Sequence, residues 1–317
     1  MTDKNQSNSD DTQPRGRLAL LDTMMADHPW HPRVIPFLAY LLLLAITGFV
    51  SEKQPALYPL FYCFQCGAVM WLLWRYRKLL PELTLKIHWI GILTGIVVFV
   101  GWVWIGMAIE EREYLAQVGI AQFTSELVQW SVNPASASQE VASVFVHPDA
   151  AGDSVFNQMP DAMRWPALIL RLLGMSLVVP LFEELFIRSL MLRSLNSAKK
   201  TGIGMLQLGQ DMPVIGDWLM HSKAGQRADK HPPMFETQFK ETPLGKLTIF
   251  GVVASTIVFA VNHVPRDWAG CVFCGIAYCL CLWATRKKGL GPVCWAHGIT
   301  NALLWFYTMH TSDYRFL

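Results

Sequence analysis

The sequence predicts an all-α integral membrane protein, a polytopic bundle of about seven to eight transmembrane helices. Hydrophobic residues make up 52% of the 317 residues and charged residues only 16%, whereas soluble domains carry about 25% charged residues. Seven stretches are apolar over the length of about 20 residues that a helix needs to cross the hydrocarbon core. Thirteen tryptophans fit this class, because indole rings favour the membrane–water boundary. A net charge of +2 does not indicate a nucleic-acid partner.

The predicted spans fall into two groups. They cover residues 34–50, 56–74, 88–109, 166–190, 247–264, 268–285 and 291–309. The first three form an N-terminal group, residues 34–109, and the last four form a core, residues 166–310. Residues 1–33 are polar and predict a disordered tail, with no removable signal peptide.

Two connections are long enough to have structure of their own. Residues 110–165 hold short apolar runs between polar residues and predict a small outer cap or an interfacial helix. Residues 194–246 predict a helix that lies on the membrane surface, because their apolar residues are loosely amphipathic. Those apolar residues are Met205, Leu206, Leu208, Met212, Val214, Ile215, Trp218, Leu219 and Met220.

Basic residues set the predicted orientation. They cluster before the first span, between the second and third, after the fourth, before the fifth and after the sixth. The clusters comprise Arg15, Arg17 and Arg33; Arg75, Arg77, Lys78 and Lys86; Arg193, Lys199 and Lys200; Lys240 and Lys246; and Arg286, Lys287 and Lys288. These clusters occupy alternate loops, so the positive-inside rule predicts a cytoplasmic N-terminus and an outer C-terminus.

Ionisable residues inside the fourth span indicate a functional site. A charged side chain at the centre of a span costs about 2.5–3.5 kcal/mol on insertion scales. Glu184 and Arg188 are four residues apart, so they share a helix face and can pair. Glu183 points about 100° away, which leaves it free for chemistry on another face. A carboxylate that only reaches the headgroups is the alternative, and two adjacent glutamates argue against it.

Two later spans carry histidines with a polar or aromatic partner. Phe259 and His263 are four residues apart, as are His297 and Asn301, so each pair shares a face. A single histidine in a helix is more often a buried, hydrogen-bonded residue than a catalyst. Together with two glutamates, however, these residues are of the types that activate water and stabilise an oxyanion.

The three motifs carry a specific resemblance. Glu-Glu-x-x-x-Arg, Phe-x-x-x-His and His-x-x-x-Asn, in this order on separate spans, resemble the CPBP family of CAAX prenyl endopeptidases and their bacterial relatives. The resemblance covers residues 165–310. Residues 268–270, 275–278 and 296–301 look most like the CAAX-protease-related proteins that accompany bacterial exosortase systems. This subgroup implies a bacterial inner-membrane protein with an exosortase system as its partner.

The resemblance implies a glutamate-dependent intramembrane endopeptidase. Glu183 would be the general base that polarises water, with help from His263. His297 and Asn301 would donate hydrogen bonds to the tetrahedral oxyanion. The substrate would be a membrane protein or a lipid-anchored protein, cut near the membrane.

The remaining motif residues would support this site. The resemblance implies an ion pair between Glu184 and Arg188, and packing of the site by Phe259. The predicted topology places His263 at the outer end of its span, about 25 Å from the cytoplasmic end, which is deeper than the glutamates. Convergence requires a tilted span and a following turn, residues 264–267, that dips into the protein.

Cysteines and histidines also raise a metal alternative. Cys63-x-x-Cys66 and Cys271-x-x-Cys274 have the spacing of zinc ligands, but both lie in apolar spans, where cysteine acts as a small hydrophobe. Zinc held by Glu183, His263 and His297 is the second alternative. There is no His-Glu-x-x-His helix, and a neighbouring arginine would repel a cation, so no metal and no other cofactor is expected.

Two other functions fit the same composition. A membrane binding or immunity protein would keep the motifs as a structural polar core. A transporter would use Glu183 and Glu184 as proton carriers, but the chain lacks the repeated halves of that class.

Overall fold

The computed structural model describes residues 18–129, 155–156 and 158–311. In these ranges the regular secondary structure is helical, as predicted, and the chain forms twelve helices. They are α1 (Ala19–Asp27), α2 (His31–Lys53), α3 (Tyr58–Arg75), α4 (Trp89–Gln129), α5 (Asp161–Ser194), α6 (Ala198–Gln210), α7 (Gly216–His221), α8 (Lys223–Ala228), α9 (Met234–Glu241), α10 (Ile249–Val261), α11 (Trp268–Thr285) and α12 (Gly291–Thr311).

The protein is a polytopic membrane protein, with five helices of the described chain long and apolar enough to cross a bilayer. These are α2, α3, the first half of α4, α5 and α11. The predicted count of seven spans is therefore not confirmed. The fifth predicted span, α10, has only 13 residues, because it stops at Val261, shortly before Pro265. The seventh, α12, is 21 residues long, but its polar residues lower its hydropathy.

The N-terminal segment is more ordered than predicted. Residues 19–27, within the segment expected to be disordered, form α1. Asp22 fixes this helix to the end of α3, with its Oδ2 2.6 Å from Nη2 of Arg75 and its Oδ1 accepting a hydrogen bond of 2.7 Å from the Tyr76 hydroxyl. Met25 is buried against Leu72 and Tyr76. Residues 1–17 lie outside the described chain.

Both long connections contain helix in the described residues. The third predicted span, 88–109, agrees with the apolar first half of α4, Trp89–Ile109, and α4 continues beyond that span as a helix to Gln129. The rest of that connection lies largely outside the described residues. The 194–246 connection forms four short helices, α6 to α9, rather than one surface helix. Pro213 accounts for the break between α6 and α7, because proline interrupts helical hydrogen bonding. Gly216 then lets the chain pass close to the Gln210 carbonyl, where a Cβ would not fit.

Three of the loops that carry basic residues meet at one end of the bundle. Glu82, between α3 and α4, accepts hydrogen bonds from Arg33 (2.6 Å) and from Ser189 (2.5 Å). Its carbonyl accepts a hydrogen bond of 2.8 Å from the amide of Leu290, before α12. Arg193 donates to the Thr242 carbonyl over 2.7 Å, which attaches the 194–246 connection. We call this end, formed by loops 76–88, 195–248 and 286–290, the basic end.

Small residues let α12 approach its neighbours closely. A Cβ on Gly298 would collide with the carbonyl oxygen of Ser176 in α5. A Cβ on Gly95 of α4 would lie 2.6 Å from the carbonyl oxygen of Ala296. Small residues at contacts between membrane helices permit this backbone approach. As a result, α12 is held against both α4 and α5, where its polar face meets the glutamates.

Candidate active site

The glutamates lie on an irregular part of α5. Residues Val179–Glu184 are α-helical, but π-helical turns precede them at Gly174–Val178 and follow them at Leu185–Met191. π-helical turns are rare in proteins, and many of those that occur lie at functional sites. The helix therefore changes its winding on both sides of Glu183 and Glu184.

Glu184 and Arg188 form an ion pair, as their spacing predicts. Arg188 Nε lies 3.2 Å from Glu184 Oε2, and the side chains are 1% and 0% exposed. The Arg188 guanidinium also lies 4.9 Å from the centre of the Phe259 ring and 5.2 Å from that of Tyr278. All three guanidinium nitrogens of Arg188, and Glu184 Oε2, lack a hydrogen-bond partner in the described chain, so cation–π attraction to the two rings adds to the ion pair in stabilising this buried charge.

His297 lies between the two glutamates. Its Nδ1 is 2.8 Å from Glu184 Oε1, and its Nε2 is 3.8 Å from Glu183 Oε2. Glu183 and Glu184 therefore face the same imidazole from different directions, and the roles of these residues stay a prediction. Adjacent side chains on a helix point about 100° apart, and the His297 imidazole lies between those of Glu183 and Glu184.

The two carboxylates differ in access. The Glu184 side chain is fully buried, and both of its oxygens face His297 or Arg188. The Glu183 side chain is 17% exposed, and the nearest basic group in the described residues is the His297 imidazole. Of the two carboxylates, only that of Glu183 therefore reaches the surface of the described chain.

Phe259 connects the second histidine to this group. Its ring centre lies 4.6 Å from that of His263 and 6.4 Å from that of His297. The ring nitrogen Nδ1 of His263 lies 2.9 Å from the Phe259 carbonyl oxygen, and Trp268 donates to the His263 carbonyl over 3.2 Å. With 13 residues, α10 rises only about 20 Å. His263 follows the last residue of α10 by two positions.

Asn301 faces α5 from one turn beyond His297. Its Nδ2 donates a hydrogen bond of 2.7 Å to the Met175 carbonyl, within the first π-helical turn. A side-chain amide carries two N–H donors, so one remains for a ligand. His297 and Asn301 both lie on the face of α12 that packs against α5.

Two residues join the site that sequence reasoning did not assign to it. The Tyr278 ring centre lies 5.4 Å from that of His297, and its hydroxyl donates to Thr300 over 2.8 Å. Thr300 donates in turn to the Gly95 carbonyl over 3.0 Å. These bonds connect α11, α12 and α4 behind the imidazole. Tyrosines commonly pack between membrane helices, so the presence of Tyr278 in an apolar span did not by itself indicate a role in the site.

The described residues contain no group of three or more His, Cys, Asp or Glu side chains placed to hold a metal ion. Five cysteines, those of α11 and α12, are buried as free thiols. Cys63 is exposed and Cys66 half-buried, also as free thiols.

One family comparison bears on this arrangement. Residues 232–303 match the model for type II CAAX prenyl endopeptidase, Rce1-like. The matched segment includes Phe259, His263, His297 and Asn301 and stops short of the glutamates on α5. This similarity over the second half of the core suggests a CAAX-type protease. The match gives no sign of an exosortase system. Neither the curated proteins nor the solved structures include a significant match to the chain.

Proposed function

We propose that the protein is an intramembrane endopeptidase in which Glu183 activates the attacking water. The observation that carries this proposal is the shared histidine. His297 is held by the buried Glu184–Arg188 pair on one side and faces the accessible Glu183 on the other. The family match over residues 232–303 supports the same reaction class.

The proposed reaction uses these groups in sequence. Glu183 removes a proton from water, and the water oxygen attacks the carbonyl carbon of the scissile peptide bond. His297, through Nε2–H, and the remaining N–H of Asn301 donate to the oxyanion that forms. The intermediate collapses with cleavage of the C–N bond, and Glu183 returns the proton to the leaving amine. His263, across the Phe259 ring, assists the positioning of water.

Buried donors make this arrangement effective. His297 is only 5% exposed, so its hydrogen bonds act in surroundings of low dielectric constant, where they strengthen. Removal of one oxyanion donor typically costs about 10²–10³-fold in kcat. A positioned general base contributes about 10²–10⁴-fold.

The position of the site indicates the substrate class. Glu183 precedes Ser189, which contacts Glu82 at the basic end, by six residues, or about 9 Å of helix. A peptide bond cut here lies just inside the membrane. The substrate proposed is therefore a membrane protein or a lipid-anchored protein, cleaved near its membrane end. An exosortase system as partner stays a prediction from the resemblance.

The test is cleavage of a pooled library of membrane-protein C-terminal segments by purified protein in detergent, with products identified by mass spectrometry. Glu183→Gln keeps the shape of the side chain and removes the base, so products are expected to fall at least about 100-fold. Glu52→Gln, a matched change at an exposed glutamate, is expected to cleave like wild type. A parallel sample with chelator measures metal dependence.

Each outcome separates the candidate functions. Products that need Glu183 and persist with chelator establish a metal-free glutamate peptidase. Products that disappear with chelator favour the zinc alternative. Equal products from wild type and Glu183→Gln refute Glu183 as the base, and the motifs are then a structural core, as in a binding or immunity protein.

A further inference from the structure

A groove of about 520 Å³ opens beside the basic end, between residues 243–247 and the last turns of α11. Leu244, Leu247 and Leu280 form an apolar wall, and Trp283 completes it. The volume lies within the range of about 300–1,000 Å³ that is typical of small-molecule sites. None of the proposed catalytic residues lines this groove.

A tryptophan and an arginine lie together at the rim of the groove, a combination typical of the membrane–water boundary. Trp283 is half-exposed, and Arg286 donates to its carbonyl over 2.7 Å while lying 5.8 Å from its ring centre. The same combination ends α3, where Arg77 donates to the Trp74 carbonyl over 2.6 Å. Indole rings favour the interface, so the apolar wall faces acyl chains and the arginines lie at the level of the headgroups.

The charge of the groove is entirely positive. Lys246 and Arg286 are both exposed and line it, and no acidic residue is among the described lining residues. Gly245, next to Lys246, lets the backbone approach Arg286 closely, because a Cβ on it would lie 2.7 Å from the Arg286 Cβ, and its φ of +76° is one that favours glycine. A ligand with one anionic group and an apolar chain would pair its charge with the two cations and bury its chain against the apolar wall.

We propose that this groove binds an anionic phospholipid of the surrounding bilayer. Its phosphate lies between Lys246 and Arg286, and an acyl chain follows Leu244, Leu247 and Leu280. Basic pockets between membrane helices bind anionic headgroups in the same way. The proposal is independent of the peptidase activity, because it uses different residues.

Native mass spectrometry of the purified full-length protein tests the proposal, with phosphatidylglycerol and phosphatidylcholine of identical acyl chains as probes. Wild type is expected to prefer phosphatidylglycerol. Lys246→Gln with Arg286→Gln is expected to reduce that binding about thirtyfold, or about 2 kcal/mol at 1.4 kcal/mol per tenfold. The matched control is Lys223→Gln with Arg227→Gln, two exposed cations of α8 outside the groove, and it should retain the preference.

A second variant tests the apolar wall. Leu280→Trp keeps both charges and fills the groove, so it should also lose phosphatidylglycerol. Equal binding of the two lipids to wild type, or equal loss in the α8 control, overturns the proposal. Competition by inorganic phosphate, or unchanged binding to Leu280→Trp, would show an anion site without a lipid chain and would overturn it too. Unfolding temperatures of the variants without lipid verify that each is folded.

Discussion

Arg188→Met isolates the contribution of the buried ion pair. Both side chains of the Glu184–Arg188 pair are essentially unexposed, so the substitution removes the guanidinium and leaves the Glu184 carboxylate with only the His297 imidazole as a polar partner in the described residues. Removal of one member of a buried pair typically costs about 3–5 kcal/mol. For a chain of this size we expect the unfolding temperature to fall by on the order of 10 °C. Glu184→Gln should also destabilise the protein, since it leaves the guanidinium unpaired.

The double variant decides whether the cost is electrostatic. Glu184→Gln with Arg188→Met leaves no uncompensated buried charge, so it should be more stable than Arg188→Met alone. Unfolding can be followed in detergent with a thiol-reactive dye, because the five cysteines of α11 and α12 are buried and become reactive on unfolding.

An exposed ion pair provides the control for this cycle. Lys200 and Glu241 lie 2.7 Å apart, with side chains 44% and 58% exposed. An exposed pair contributes about 0–1 kcal/mol, so Lys200→Met should lower the unfolding temperature by only about 2 °C. If Arg188→Met has an effect as small as Lys200→Met, or if the double variant is no more stable than Arg188→Met, the pair does not stabilise the site as argued.

Two further predictions concern the packing and the basic end. Gly298→Ala places a methyl group against the Ser176 carbonyl and should destabilise the protein by about 1–3 kcal/mol. Cleavage should also be lost, because His297 moves with the helix. If the variant keeps the wild-type unfolding temperature and activity, the close approach is not needed. Burial alone would raise the pKa of Glu82, but the hydrogen bond and charge of Arg33 and the hydrogen bond of Ser189 outweigh it and hold the pKa below the ordinary 4.5. A carboxylate with a lowered folded pKa stabilises the fold above its unfolded pKa and loses that contribution as pH falls through the folded pKa. Unfolding temperatures from tryptophan fluorescence between pH 6 and 3 should therefore fall more steeply below about pH 4.5 for wild type than for Glu82→Gln, and identical slopes would contradict this origin of the acid sensitivity.

Hydropathy predicted where helices occur better than where they end. Segments of sufficient apolar length appear as helices, because lipid requires internally paired backbone groups. The ends follow from other forces. Helix α4, which holds the third predicted span, continues into charged residues such as Glu110 and Glu111, since backbone pairing does not stop where lipid stops. Helix α10, the fifth predicted span, ends early because Pro265 lies ahead, and hydropathy does not register proline geometry.

The residue types of the site were visible in the sequence, but their arrangement was not. Spacing of four residues predicted the Glu184–Arg188 pair, because both partners lie on one helix. Contacts between helices depend on how closely the helices approach. Gly298 permits α12 to touch α5 at Ser176, and no pattern within α5 reveals that approach. For this reason the sequence predicted the directions of Glu183 and Glu184 on their own helix, but not that His297 of another helix lies near both.

The difference between the two adjacent glutamates follows from this approach. Both share one imidazole, so the chemistry of their side chains does not distinguish them. Burial does, because Glu184 is closed in by Arg188 and His297, while Glu183 retains 17% of its side-chain surface. A buried carboxylate with two partners can fix the orientation of an imidazole, and a carboxylate that water reaches can accept a proton. In the proposed mechanism, the base and the group that orients the imidazole are thus adjacent residues whose side chains point about 100° apart on one helix.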